Sequence, residues 1–300
     1  MNRRLNSPPV CRNRGYAGDM RTLDFKDHRR VLGDNRYVYA VVSRRVGGLS
    51  IGINLNPDKA CNFDCPYCQV DRTIPGGDRR IDLEVLAAEL DALLAMVVAG
   101  DLWEHAPFNT AAPALRRVGD ISFAGDGEPT AAPGFADAVA AVVAVRARYG
   151  LEDVRLSLLT NATLFHRDRV RAGLDVLSAA GGQVWAKLDA GTEAWFHRVD
   201  GTTLSFDRVL ANIEWAAQHH TVLIQSMFHA FDGVGPTDEE VMAWAERLRA
   251  VRAAGGELVG VQVYTVARQP ADASVTALER SRLEWIASQA EAVGLDAAVY

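Results

Sequence analysis

The chain is sparing with cysteine, holding four in 300 residues. That count excludes a disulfide-dense scaffold, which needs many more sulfurs for its length. No apolar run approaches the roughly 18 residues of a membrane-spanning helix. The longest, around residues 93–99, is short and follows an amphipathic pattern. The opening MNRRLNSPPVCRNR is basic but has no apolar core, so it does not read as a secretory signal, and a cytoplasmic location is expected. There is no internal repeat and no low-complexity tract. The seven histidines form no HExxH or similar ligand pair. His219, His220 and His229 are expected at solvated or capping positions.

Negative charge prevails overall, at net -6, but not everywhere. Residues 1–48 hold 11 Lys+Arg against 4 Asp+Glu, net +7, and the other 252 hold 21 against 34, net -13. A basic arm on an acidic body is able to meet a polyanion such as RNA, or to lie solvated. The acidic body argues against a large nucleic-acid footprint.

What the chain does have is a concentration of its cysteines. Cys61, Cys65 and Cys68 fall within eight residues, spaced by three residues and then two. That spacing suits a short loop wrapping thiolates around one [4Fe-4S] cluster, whose four irons are usually held by cysteines. Three ligands leave one iron open to a small molecule. A zinc site would want a fourth ligand at paired short spacing. Cys11 lies 50 residues upstream of Cys61, in a segment rich in Arg. Zinc and unligated thiols therefore stay open beside the cluster.

Beyond residue 48, short β-rich runs alternate with helical patterns. Strands are predicted at 49–55, 118–123, 154–159, 184–188, 222–227 and 258–264. Helices are predicted at 82–98, 133–148, 168–180, 205–218, 237–254 and 276–293. Residues 37–43 and 49–55 can pair as a hairpin. Residues 1–48 read as a basic, partly disordered extension and 49–300 as one domain. Six β/α units with near-continuous apolar strands mark a parallel sheet buried on both faces. In such folds, active residues gather at the C-terminal ends of strands. Those ends carry Gly125-Asp126-Gly127-Glu128-Pro129, then Asn161, then Lys187 and Asp189, then Tyr264. Lys187 and Asp189 share a face by alternation and would suit an anionic ligand.

The cysteine run, with aromatic Tyr67 just before the third cysteine, resembles the signature of the radical S-adenosylmethionine (radical SAM) superfamily. The Gly125–Pro129 stretch resembles that superfamily's GGEP motif, with Asp126 replacing the first of the paired glycines. The resemblance implies a partial (β/α)6 barrel, with S-adenosylmethionine (SAM) on the open iron. It also implies cofactor contacts from Tyr67, Gly125, Asp126, Gly127, Glu128, Asn161, Lys187, Asp189 and Tyr264. Residues 54–60 and the Glu-Pro-Thr turn are similar to the branch containing wyosine-type tRNA-modifying enzymes and their bacterial relatives. Apart from Cys11, no cysteine remains for a second cluster.

The implied activity is reductive cleavage of SAM to a 5′-deoxyadenosyl radical, which abstracts hydrogen from a substrate. Electrons would come from a reductant such as flavodoxin or ferredoxin. A small-molecule substrate is expected, lined by 72–81, 103–116, 190–204 and 268–276. The alternatives are an RNA-modifying enzyme using the basic arm, and a non-enzymatic metal-binding adaptor.

Overall fold

The computed structural model describes residues 35–43, 46–268, 270 and 272–300. Cys11 and most of the basic arm lie outside the described residues.

Strand β1 (Val38–Ser43) runs antiparallel to β2 (Gly48–Ile53), Val38 opposite Ile53 and Ser43 opposite Gly48. The boundary expected at residue 48 therefore falls inside a hairpin, and β1 belongs to the sheet. Its alternation is clear, with Val38, Ala40 and Val42 buried. Tyr39 points the other way and covers Gly52, where an added Cβ would lie 2.1 Å from the ring. Helix α1 (Leu83–Ala99) starts at Asp82, whose carboxylate accepts from the Glu84 and Val85 amides. It stops at Gly100 in the left-handed region. Glu89 on this helix accepts from the backbone N–H groups of Arg36, Tyr37 and Val38, fastening the start of β1.

Next come β3 (Val118–Phe123), α2 (Phe135–Arg148), β4 (Arg155–Thr160), α3 (Asp168–Ala179) and β5 (Gln183–Lys187). A short helix α4 (Glu193–Val199) precedes α5 (Phe206–His219) and β6 (Val222–Met227). Then follow β7 (His229–Phe231), α6 (Asp238–Ala253), β8 (Leu258–Tyr264), β9 (Val275–Ala277), α7 (Arg280–Ala292) and β10 (Ala297–Val299).

The main sheet has eight strands in the order β1-β2-β3-β4-β5-β6-β8-β10. All pairs from β2 onward are parallel. The six predicted β/α strands are β2, β3, β4, β5, β6 and β8. Among the described residues no pairing joins β1 to β10, so the sheet is not closed. One face of its central strands is buried through Ile51, Ile53, Ile121, Phe123, Leu156, Leu158, Val184, Ala186, Ile224, Val261 and Val263, and the other, also buried, carries Ser122, Ser157, Trp185, Gln225 and Gln262. Trp244 of α6 is fully buried, and its indole N–H donates to Leu188 O at 3.0 Å and Ser226 Oγ at 3.1 Å. That pair of bonds locks the C-terminal ends of β5 and β6 together.

One local expectation is corrected, and two segments gain structure. The last helix begins at Arg280, not 276, because residues 275–277 are extended and pair with β7. The expected lining at 190–204 contains α4, started by Thr192, whose hydroxyl accepts from the Trp195 amide. The chain end is a strand: β10 adds to the edge of β8.

Candidate active site

The cysteine loop leaves β2 at Ile53 and lies against the turn after β3. Glu128 N donates to Ala60 O at 3.0 Å, and Asn54 exchanges hydrogen bonds with Asp126, through its amide to Oδ2 at 2.8 Å and from Asp126 N at 3.1 Å. Glycine is required at this meeting. A Cβ on Gly127 would lie 2.2 Å from Ala60 O, and one on Gly125 would lie 2.2 Å from Asn54 Oδ1.

Glu128 is buried and its carboxylate is filled by protein donors. Oε1 accepts from Thr130 N at 3.0 Å, Thr130 Oγ1 at 2.5 Å and Thr160 Oγ1 at 2.6 Å, and Oε2 accepts from Asn161 N at 2.7 Å. Burial raises its pKa above the usual carboxylate range, against the pull of these bonds. Asn161 continues the chain of contacts: its Nδ2 donates to Asn62 Oδ1 at 2.7 Å and stands 4.0 Å from Cys61 Sγ. Asn62 in turn donates to Thr163 Oγ1 at 2.7 Å.

The other side of the loop meets β5. Tyr67 is buried, and its hydroxyl donates to Asp189 while receiving a bond from Lys187 Nζ. Lys187 Nζ lies 3.4 Å from Asp189 Oδ2 and 4.5 Å from the Tyr67 ring centroid. Met227 N fixes the second Asp189 oxygen at 2.8 Å. Tyr264, half-buried at the end of β8, stands opposite Met227 and within electrostatic reach of Lys187.

Sequence reasoning missed Asp200. Its Oδ1 lies 3.6 Å from Cys65 Sγ and 3.4 Å from the Tyr67 hydroxyl, and its carbonyl accepts from Asp64 N at 3.1 Å. Thr202 Oγ1 reaches Asn62 O at 3.3 Å. Between them, Gly201 has φ +55°, and a Cβ there would lie 2.1 Å from Asp64 O. No local pattern announces this segment, because its partner Cys65 is 135 residues away.

Burial sets the protonation of this region. It lifts the Cys61 and Cys65 thiols. Burial, and then the charge of Asp189, push Asp200 well above the carboxylate range and the Tyr67 hydroxyl well above its ordinary value. For Lys187, burial opposes the charged form, but Asp189 prevails and the pKa rises.

His229 corrects the solvated expectation. It is buried, 1% exposed, with its ring edge-on to Tyr67 at 5.2 Å and to Phe231 at 4.8 Å. Among the described residues neither ring nitrogen has a hydrogen-bond partner, and burial lowers its pKa to about 4. His220 is buried too, its Nδ1 2.8 Å from Ser178 Oγ. His219 is exposed as expected, with Nδ1 2.7 Å from Trp215 O.

Among the described residues no three His, Cys, Asp or Glu side chains converge as a metal-holding group. Cys61, Cys65 and Cys68 are free thiols around one loop, half-buried, with Cys68 N bonded to Cys65 O at 2.9 Å. The donor chemistry fits an iron–sulfur cluster: three soft ligands, no competing disulfide, and glycine contacts at Gly127 and Gly201 that hold the loop close.

No protein-family model matches the chain. It is 25% identical over 186 residues to the GTPase Obg of Brachyspira hyodysenteriae, covering 60% of this chain and 23% of that one. It is 26% identical over 161 residues to a UPF0026 protein of Helicobacter pylori (53% and 44%). A UPF0026 protein of Methanocaldococcus jannaschii is 30% identical over 131 residues (44% and 34%). The chain thus spans less than half the length of these curated relatives. Among solved structures, a radical SAM methyltransferase from Sphaerobacter thermophilus superposes with a TM-score of 0.59 at 13% identity, over 88% of this chain and 68% of that one. TYW1 with a lysine-pyruvate adduct bound gives 0.51 at 12% identity, over 85% and 84%. The chain has the fold of the radical SAM enzymes, in agreement with the resemblance of its cysteine run and Gly-Glu-Pro turn to that superfamily.

Proposed function

We propose that this protein is a radical SAM enzyme acting on a small molecule. One observation carries the reading. The three-cysteine loop lies at the C-terminal edge of the parallel sheet and is touched there by strand-end polar residues of β3, β4 and β5. Cys61, Cys65 and Cys68 would hold a [4Fe-4S] cluster. When bound, the cluster and SAM would supply a 5′-deoxyadenosyl radical for hydrogen abstraction.

The protein's own residues divide the remaining work. The Gly125–Gly127 backbone keeps the turn flat against the loop. Glu128 is consumed by protein donors, so its role is to hold Asn161 in place beside Cys61. Lys187 offers a cation to a carboxylate of SAM or substrate, steadied by Asp189 and Tyr67. The buried surround of Tyr67 and His229 keeps water away from a reactive radical. An external one-electron donor completes the cycle.

Anaerobic reconstitution tests this. The wild-type chain should take up about four irons, turn brown, and release 5′-deoxyadenosine from SAM on addition of dithionite. Cys65→Ala should lose both iron and product. A colourless, zinc-loaded wild-type protein that leaves SAM intact would refute the proposal and favour a metal-binding adaptor.

A further inference from the structure

The acidic body carries a dense basic patch beside the cysteine loop. It comprises Arg79, from the segment after the cysteines, His166, Arg167, Arg169 and Arg171, from the start of α3, and Arg208, in the first turn of α5. All are exposed except Arg171, which is half-buried and lies over Trp215 at 4.1 Å. The patch borders the loop directly. Arg79 pairs with Asp58 at 3.9 Å, three residues before Cys61, and Thr163, three before His166, is bonded to Asn62.

Two observations separate this patch from an ordinary charged surface. First, among the described residues Arg167, Arg169, Arg171 and Arg208 have no carboxylate within ion-pair distance. Arg169 and Arg171 instead donate to the carbonyls of Ala132 at 3.0 Å and Phe165 at 2.9 Å. Partial burial, and then Arg167, Arg208 and Arg171, hold His166 below its ordinary pKa, so these charges repel one another. Second, the arginines stand where helices disfavour them. Arg167 is the N-cap of α3, and Arg208 follows the Ser205 cap of α5 by three residues. A cation at a helix N-terminus opposes the macrodipole, where an anion would be stabilising. The like charges are thus gathered at a cost to stability, on the edge of the sheet that holds the cysteines.

From this placement we infer that the patch is the docking surface for an acidic, low-potential one-electron donor protein. The inference rests on the radical SAM reading. Helix N-termini and unpaired guanidinium groups add to one positive field, which steers a negatively charged partner. The segment carrying Arg79 also presents Ile74, 61% exposed, as an apolar contact. The donor would supply one electron to the cluster that Cys61, Cys65 and Cys68 would hold, and no bond would form between the proteins. RNA fits less well. Among the described residues the patch exposes a single small ring for bases to stack on, His166, since Trp215 lies beneath Arg171. Asp168 and Asp207 interrupt the arginines, and residues 49–300 carry net -13.

The double variant Arg167→Glu/Arg208→Glu tests the assignment, and it should fold, because it places anions at helix N-termini. Two readouts are paired. Titration of the reconstituted holoenzyme with flavodoxin at two salt concentrations should show salt-sensitive binding that the variant weakens by about tenfold or more. Formation of 5′-deoxyadenosine driven by reduced flavodoxin should fall by a similar factor, whereas the dithionite-driven rate should stay within about twofold. Unchanged flavodoxin binding in the variant would overturn the inference, as would equal losses with both reductants. Patch-dependent retention of total tRNA without flavodoxin binding would reassign the surface to RNA. Wild-type protein that binds flavodoxin through the patch but cleaves no SAM with dithionite would sink the enzymatic reading and leave the docking surface standing.

Discussion

The polar groups on the two sides of the cysteine loop are held in opposite conditions. On the β3–β4 side, Glu128 accepts from protein donors on both oxygens, and Asn161, Asn62 and Thr163 satisfy one another. On the β5–β6 side, Lys187, Asp189, Asp200 and Tyr67 crowd several ionisable groups around one hydroxyl, and among the described residues His229 has no partner for either nitrogen. A closed network rigidifies, and a charge-dense, incompletely paired one leaves capacity for a ligand or a proton. The comparison divides the candidate residues: Glu128 and Asn161 belong to the frame of the loop, and Lys187, Asp189 and His229 to the ligand side.

The sharpest way to break this division is Gly127→Val. Its side chain would be forced against Ala60 O, so the cysteine loop itself must shift. The variant should lose iron uptake together with SAM binding, measured by iron content and equilibrium dialysis. Retained iron with loss of SAM alone would move Gly127 to the ligand side. Next in size is Glu128→Ala, which leaves the donors of Thr130, Thr160 and Asn161 unpaired in a dry interior. Stability should drop on the order of 3 kcal/mol in denaturant titration. A drop below about 1 kcal/mol would mean that the network is not what fixes the frame.

A third test is a pH slope. The imidazole of His229 titrates near its ordinary value of 6.5 in the unfolded chain and at about 4 in the folded one. Between those values the unfolded state binds the extra proton, so stability falls as pH drops from about 6.5 to about 4. His229→Phe should flatten that part of the stability profile. Identical slopes in wild type and variant would show that the ring is not held neutral by its surroundings.

Much of this was legible beforehand because it is local. The spacing of Cys61, Cys65 and Cys68, the Gly125–Glu128 turn and the apolar strand runs are patterns of neighbours in sequence. The alternation that put Lys187 and Asp189 on one face also held. What escaped is long-range or very short. β7 and β9 have three residues each, too few to establish a period, so residues 276–277 read as the start of the following helix. His229 reads as a surface histidine until the β7–β9 pair is known to bury it. Asp200 looks like any acid before a Gly turn. The arginines of α3 and α5 are separated by some forty residues in sequence and meet only when the helices line up side by side.

Helix α4 also acts as a ruler. Its seven residues end at Asp200, and Asp200-Gly201-Thr202 then touch Cys65, Asp64 and Asn62. Removing or adding a single residue there would turn everything downstream by about 100° and slide it about 1.5 Å. Asp200 would swing off Tyr67. Insertions and deletions are therefore poorly tolerated between residues 190 and 202, however exposed the outer face of α4 is. The tip at Asp232-Gly233, where both residues have positive φ and a Cβ on Gly233 would meet nothing, is free to vary in length. Changes of loop length have room at that tip and little at the ruler.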